Sequence, residues 1–238
     1  MSNVGFRIYT KINRPDQQLI EDFRGLPVAV IADEMNRLGC MDARIKPLNR
    51  MPLLGVAFTV KVRVGDNLML HRALDMALPG DVIVVDGQGD LSNAIAGENM
   101  MMWAQHRRLA GVIVDGAMRD LDALRNLDLA VFAAGIQPKG PYKSGPGEIN
   151  VPICCGGAVI HPGDIIVGDE DGVVSIHPID ARTVCQRAHA RHQKEGVTRQ
   201  SIVDGTYDRS AYTEDALRKM GCEVIDAAWS QQAAEEKV

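Results

Sequence analysis

What this sequence has little of narrows it before any motif is read. Aromatic side chains are scarce, with two Trp, four Tyr and four Phe in 238 residues, so a core must be built from Val, Ile, Leu, Met and Ala. Such a core suits layered α/β packing. No apolar run approaches the ~18 residues a membrane helix requires, and Met1 to Thr10 holds no apolar stretch of signal-peptide length. A soluble cytoplasmic protein with no membrane partner is expected. No block of like charge occurs either. The 26 basic residues lie scattered against 31 acidic ones, giving a net charge of -5, which argues against nucleic acid as a partner. Cysteine is sparse and unpatterned: Cys40, Cys154, Cys155, Cys185 and Cys222 lack any C-x-x-C spacing, and the adjacent pair makes a poor bridge. They read as reduced, mostly buried thiols. Neither an interdomain linker nor a repeat of fixed period is present. A single domain over 1–238 is expected, with its core in about 20–195 and a C-terminal helix and tail over 196–238.

The patterns that are present alternate between two periods. Arg14 to Leu38 reads as two helices, the second over Val28–Leu38 with Val28, Ile31, Ala32, Met35 and Leu38 on one face and Gly39 as its stop. From Gly55 to Val64 the period is two: Val56, Phe58, Val60, Val62 and Val64 share one face, which predicts a strand buried on that face alone. A helix over Asp66–Leu78, broken by Pro79-Gly80, leads into a short buried strand at Val82–Val85. Gly87-Gln88-Gly89 reads as a tight turn lining a pocket; without a third glycine it is weak as a dinucleotide fingerprint. A helix to about Leu109, a strand at Val112–Val114, a short helix near Asp120–Asn126 and a strand at Leu129–Ala133 follow. Gly135–Gly147 must be a loop, and short strands then occupy the stretch to Ile176 before a helix over Pro178–Glu195.

Chemistry concentrates where Gly97-Glu98-Asn99 is followed, twenty residues after Glu98, by Arg119-Asp120 at the end of a strand. Open α/β sheets place their ligands in loops beyond strand ends. The amides of a helix starting near Glu98 and a bidentate guanidinium from Arg119 would together clamp a carboxylate, the mark of a 2-oxo acid. Asp120 would hold a hard divalent cation against the 2-oxo group. Spacing alone equally allows Asp120 to be an N-cap for the helix after it, with a solvated arginine beside it.

A resemblance bears on that choice. Gly55-Val56-Ala57-Phe58-Thr59-Val60, Asp66-Asn67-Leu68, Pro79-Gly80-Asp81-Val82, the run Gly111 to Asp120, His161-Pro162-Gly163-Asp164, Gly168-Asp169 and Asp171-Gly172-Val173-Val174 resemble the RraA-like family in the same order. The resemblance implies a β/β/α swivelling-domain α/β fold that forms trimers or hexamers. It implies cleavage of 4-hydroxy-2-oxo acids such as 4-hydroxy-4-methyl-2-oxoglutarate or 4-carboxy-4-hydroxy-2-oxoadipate, with oxaloacetate decarboxylation, using Mg²⁺ or Mn²⁺. The family's aldolase motif, an acid, twenty residues and Arg-Asp, is matched by Glu98, Arg119 and Asp120; the first acid is usually Asp, so Glu98 is a departure. By resemblance Arg119 binds the pyruvoyl carboxylate, Asp120 ligates the metal, the backbone from Gly97 through Glu98 and Asn99 to Met100 completes the pocket, and a water carries the proton. The same family holds non-catalytic, protein-binding regulators of ribonuclease E, which is the competing reading.

Other residues are candidates by position. Glu195 is a candidate partner from a neighbouring subunit's C-terminal helix, against a solvated helix-end glutamate. His71 is a secondary candidate that faces either the site or a polar core contact. His189 and His192 lie three apart but have no third ligand at a convincing spacing, so they read as surface histidines. A Schiff-base aldolase would need Lys61, Lys139 or Lys143 desolvated, and the Gly/Pro-rich loop is too exposed for the last two.

Overall fold

The computed structural model describes residues 3–229. The strand-forming runs converge in one mixed sheet of order β1 (Phe6–Ile8), β7 (Gly147–Ile149), β3 (Leu53–Val62), β4 (Asp81–Ala96), β5 (Gly111–Met118), β6 (Ala130–Ile136) and β2 (Lys46–Pro47). The strands β3, β4, β5 and β6 run parallel to one another, linked by α3 (Leu68–Met76), α4 (Glu98–His106) and α5 (Leu121–Arg125). The apolar stretch of β3 is long enough to serve two partners along one edge. It pairs antiparallel with β10 (Ile165–Asp169) through Leu53–Val56 and with β7 through Val60–Val62.

Two apolar layers explain why the central strands are apolar on both faces. Phe58, Val60, Ile83, Val85, Val112 and Val114 pack with Leu70 and Leu74 of α3, Met101 of α4 and Leu124 of α5. On the other face Ala57, Val82, Val84, Ile113 and Phe132 pack with Ile153, Cys155 and Ile160 of the hairpin β8 (Ile153–Cys155) and β9 (Ala158–Ile160). The one-faced strand expected from period two is therefore corrected. Ala57 and Thr59 are wholly buried, because a parallel strand inside a sheet is covered on both sides, whereas Val64 lies past the strand end and is exposed.

A third cluster joins α1 (Gln17–Glu21), α2 (Val28–Glu34), the hairpin β10 and β11 (Gly172–Ile176), and the start of α6 (Pro178–Val203) through Ile20, Ile31, Val174, Ile176 and Val184. The second helix stops short of Leu38. Asn36 and Arg37 take positive φ of 53° and 65°, so the turn begins before Gly39 and leaves Leu38 exposed. The tight turn expected at Gly87-Gln88-Gly89 is instead an irregular continuation of β4. Its register on β5 shifts between Asp86 and Asp90, with left-handed φ at Gln88 and Gly89.

At the end of the second layer, Asp86 and Asp115 are register partners on β4 and β5. Asp115 accepts from the Gly156 amide at 2.8 Å and pairs with Arg44 at 2.9 Å, pinning the β8–β9 turn. Burial raises the Asp86 carboxyl above its ordinary range, and the Gln88 amide opposes that shift. All five cysteines are free, but Cys40, Cys154 and Cys222 are exposed, which corrects the expectation of mostly buried thiols. On β8, strand alternation turns Cys154 outward and Cys155 inward.

The chain divides after His192 into two compact units. The second holds the end of α6, a 3-10 turn at Ser210–Tyr212 and α7 (Glu214–Lys219), capped by the Thr213 hydroxyl on the Ala216 amide. The polar tail beyond Trp229 lies outside the described residues. No described helix is long and apolar enough to cross a membrane.

Candidate active site

The site forms where β4 and β5 end side by side. Ala96 and Met118 are the last register partners, and the Arg119 amide donates to the Ala96 carbonyl at 3.0 Å. The chains then diverge into α4 and α5. Gly97 caps α4 in an extended conformation, φ -155° and ψ -165°, that any residue could adopt. What demands glycine is space. A Cβ there would lie 2.4 Å from Asp120 Oδ2 and 2.8 Å from Arg119 Cγ, so its absence lets the two strand ends touch.

Asp120 takes a left-handed conformation, φ 63° and ψ 39°, tolerated by aspartate more readily than by most residues. Its carboxylate makes no bond to its own helix. It turns back across the gap and accepts from the Glu98 amide at 3.0 Å, placing negative charge at the positive end of α4. The simple N-cap alternative thus fails for α5, and Asp120 caps the neighbouring helix instead. Arg119 Nε stands 3.6 Å from Asp120 Oδ2, and both side chains are near half exposed. Among the described residues the Arg119 guanidinium makes no other ion pair and donates no hydrogen bond, so its fork is open to an anion. The Asn99 and Met100 amides, in the first turn of α4, have no carbonyl four residues back in the helix.

These groups border a cavity of about 240 Å³ lined by Asn67, His71, Gly97, Asn99, Met100, Arg119, Asp120, Pro141 and Lys143, with Ile95 and Ala96. Of the residues singled out from sequence, Arg119, Asp120, Gly97, Asn99, Met100 and His71 meet here. Glu98 contributes its amide and its side chain is not part of the lining. Nor are Gly87, Gln88 and Gly89, so the pocket-lining role expected of that turn is corrected. Lys143 borders the cavity but is exposed, while Lys61 and Lys139 do not border it. Glu195 lies in the second unit, 3.8 Å from Arg199. His189 Nε2 meets the Asp22 carbonyl at 2.8 Å.

Asn67, Pro141 and Lys143 are the residues whose place in this cavity the sequence concealed. The loop after β6 is held by bonds that only the fold brings together. Buried Asp66 accepts from the Leu68, Ser144 and Gly145 amides at 2.9, 2.7 and 2.9 Å, and Asn93 Nδ2 donates to the Gly140 carbonyl at 2.6 Å. Asn67 is buried; its Nδ2 donates to the Ile95 carbonyl at 2.8 Å, and its Oδ1 has no partner. Burial, and after it the charge of Lys143, lowers the His71 pKa, so its ring is neutral at pH 7.

With this geometry in view, similarity to known proteins decides the family. The RraA-like family model, described as Aldolase/RraA, matches residues 28–175. A Halalkalibacterium halodurans protein named "Putative 4-hydroxy-4-methyl-2-oxoglutarate aldolase" is 39% identical over 207 residues, 87% of this chain and 99% of its own length. The chain belongs to the RraA-like family. A Bacillus cereus protein of the same name is 38% identical over 120 residues, 50% of this chain and 75% of its own. The RraA-like fold is matched by Streptomyces coelicolor RraAS2, called an unusual member of the RNase ES inhibitor RraA protein family. Its TM-score is 0.73 at 26% identity, covering 79% of this chain and 99% of that one. The RNA-processing inhibitor RraA from Thermus matches with a TM-score of 0.59 at 30% identity, over 63% and 92% of the two chains.

Proposed function

We propose that this RraA-like chain is a divalent-metal-dependent carbon–carbon lyase that releases pyruvate from 4-hydroxy-2-oxo acids and from oxaloacetate. The observation that carries the reading is the open Arg119 fork beside the Asp120 carboxylate at the α4 N-terminus. The names of the relatives, among them 4-hydroxy-4-methyl-2-oxoglutarate aldolase, support the substrate class.

Among the described residues no three His, Cys, Asp or Glu side chains converge on one point, so a closed cage of the zinc type is not what this cavity offers. It offers one half-exposed carboxylate and, from Asn67, a buried amide oxygen lacking a partner. This oxygen donor set fits Mg²⁺ or Mn²⁺, which take few carboxylates and retain several waters. Asp120 would hold the cation. Bound there, it would supply charge stabilisation to the enolate oxygen that develops at C2.

The chain's own residues set up the rest. Arg119 grips the C1 carboxylate with two parallel N–H bonds, and the Asn99 and Met100 amides face the same charge. Fixing that carboxylate orients the C3–C4 bond to break: the C4 hydroxyl gives up its proton and becomes a carbonyl, or in oxaloacetate C4 leaves as CO₂, while the C3–C4 electron pair moves into the 2-oxo system and C3 is then protonated to give pyruvate. Retro-aldol cleavage and β-decarboxylation share this enolate, so one site serves both. Neutral His71 can accept a proton at a ring nitrogen, and water is the other carrier. Glu98 acts through its amide, and Glu195 of a neighbouring copy completes the site in a trimer or hexamer.

Replacing Asp120 with Ala tests the reading. Metal-dependent pyruvate release is expected to disappear, and a variant that keeps full turnover would refute it. The Thermus and Streptomyces neighbours favour a second reading, a protein-binding regulator of a ribonuclease. Capture of a ribonuclease by a protein with no lyase activity would establish that reading instead.

A further inference from the structure

A second cavity, of about 340 Å³, lies between α3 and α4 and shares three lining residues, His71, Asn99 and Met100, with the one at Arg119. The two recesses are thus neighbours that meet at these three side chains, which gives a ligand held by Arg119 a direction in which to extend. The first recess, at about 240 Å³, has room for a short acid and little else.

The chemistry of the second recess differs from the first. Its walls are Leu68, Leu74 and the ring of Trp103. That ring is fixed: Nε1 donates to Asp75 Oδ1 at 3.0 Å, and the ring stacks on His106 with centroids 5.2 Å apart. Arg107 braces the same corner by donating to the Asp75 and Ala77 carbonyls at 3.0 and 3.2 Å. A rigid, half-exposed indole costs little order when a ligand packs on it. Arg72 borders the recess, is exposed, and has no ion-pair partner among the described residues. Asp75 also lines the recess; its Oδ1 accepts from the indole, and Arg72 is the lining cation that stands against its charge.

We infer that the α3–α4 recess is the subsite for the far arm of the substrate, with Trp103 packing on its carbon chain and Arg72 pairing with a terminal carboxylate. This rests on the lyase reading and deepens it: the α3–α4 recess is where this chain reads the arm of the substrate beyond C4. Arg72 and Trp103 are specificity residues and touch no reacting atom.

The test compares Arg72→Gln and Trp103→Leu with the wild type on two substrates, oxaloacetate and 4-carboxy-4-hydroxy-2-oxoadipate. Losing a charge-assisted pair is expected to lower kcat/KM for the long acid by about tenfold or more, with oxaloacetate unchanged within about twofold. Equal losses on both substrates, or none on either, would overturn the subsite. Calorimetry with 2-oxoadipate and 2-oxobutanoate gives a readout independent of turnover. Tighter binding of 2-oxoadipate that is lost in Arg72→Gln supports the subsite; equal binding of the two acids overturns it. Absence of turnover by the wild type would defeat the lyase reading, and the calorimetry would still decide the subsite.

Discussion

Replacing Gly97 with Ala separates the site from the fold more cleanly than removing a catalytic side chain does. The backbone there is extended, so alanine meets no conformational strain, and the whole effect is the added methyl group. That methyl group would stand 2.4 Å from Asp120 Oδ2 and 2.8 Å from Arg119 Cγ, whereas ordinary contact begins near 3.4 Å. The carboxylate must recede by about 1 Å, the difference between 3.4 and 2.4 Å. The atoms that yield are side-chain atoms at the rim, so the fold should survive with a cost comparable to a lost cap, about 0.5 to 2 kcal/mol. The site should not, since a misplacement of about 1 Å costs roughly 100-fold in rate. Pyruvate release from oxaloacetate, coupled to lactate dehydrogenase at saturating Mg²⁺, would be measured beside a thermal melt. Wild-type kcat/KM in Gly97→Ala would refute the claim that contact between the two strand ends builds the site. A collapse of the melt would refute the claim that the methyl group is absorbed by side chains.

Further outcomes follow from the same geometry. Arg119→Lys keeps the charge and loses the fork, and should raise KM for oxaloacetate by about tenfold or more; an unchanged KM would mean that no bidentate clamp forms. Asp66→Ala strands three amide donors, and should cost about 3 kcal/mol or more, a Tm drop of roughly 6 to 12 °C. A shift of a degree or two would show that the loop does not depend on that carboxylate. Asp86 carries a raised pKa in the fold, so its contribution is present below the unfolded value and is lost as pH rises through the folded one. The melting advantage of Asp86→Asn over wild type should therefore shrink between pH 7 and pH 4, and an advantage that grows on acidification would contradict the burial argument.

The strand and helix pattern was largely legible because apolar periodicity is a local signal. It misled where the environment is decided at long range. Ala57 and Thr59 look like the outward residues of a one-faced strand until the β8–β9 hairpin, about a hundred residues later, is laid over them. Asn36 and Arg37 end α2 by adopting positive φ, which no glycine announces. In the site, Arg119 and Asp120 were readable because strand ends concentrate ligands and the spacing to Glu98 matched a motif. Asn67 and Lys143 were not readable as cavity residues, since they meet only through the loop that Asp66 holds in place. At Glu98 the backbone was the legible part: the amides expected at the start of that helix include the one that donates to Asp120, while the side chain lies outside the cavity lining.

The most direct test of the central claim is pyruvate release from oxaloacetate and from 4-hydroxy-4-methyl-2-oxoglutarate, using protein stripped with EDTA and then assayed with and without Mg²⁺ or Mn²⁺. Release restored by the metal above the enzyme-free control is the expected result. No release with either metal, from either acid, would contradict the lyase reading and turn attention to the ribonuclease regulator.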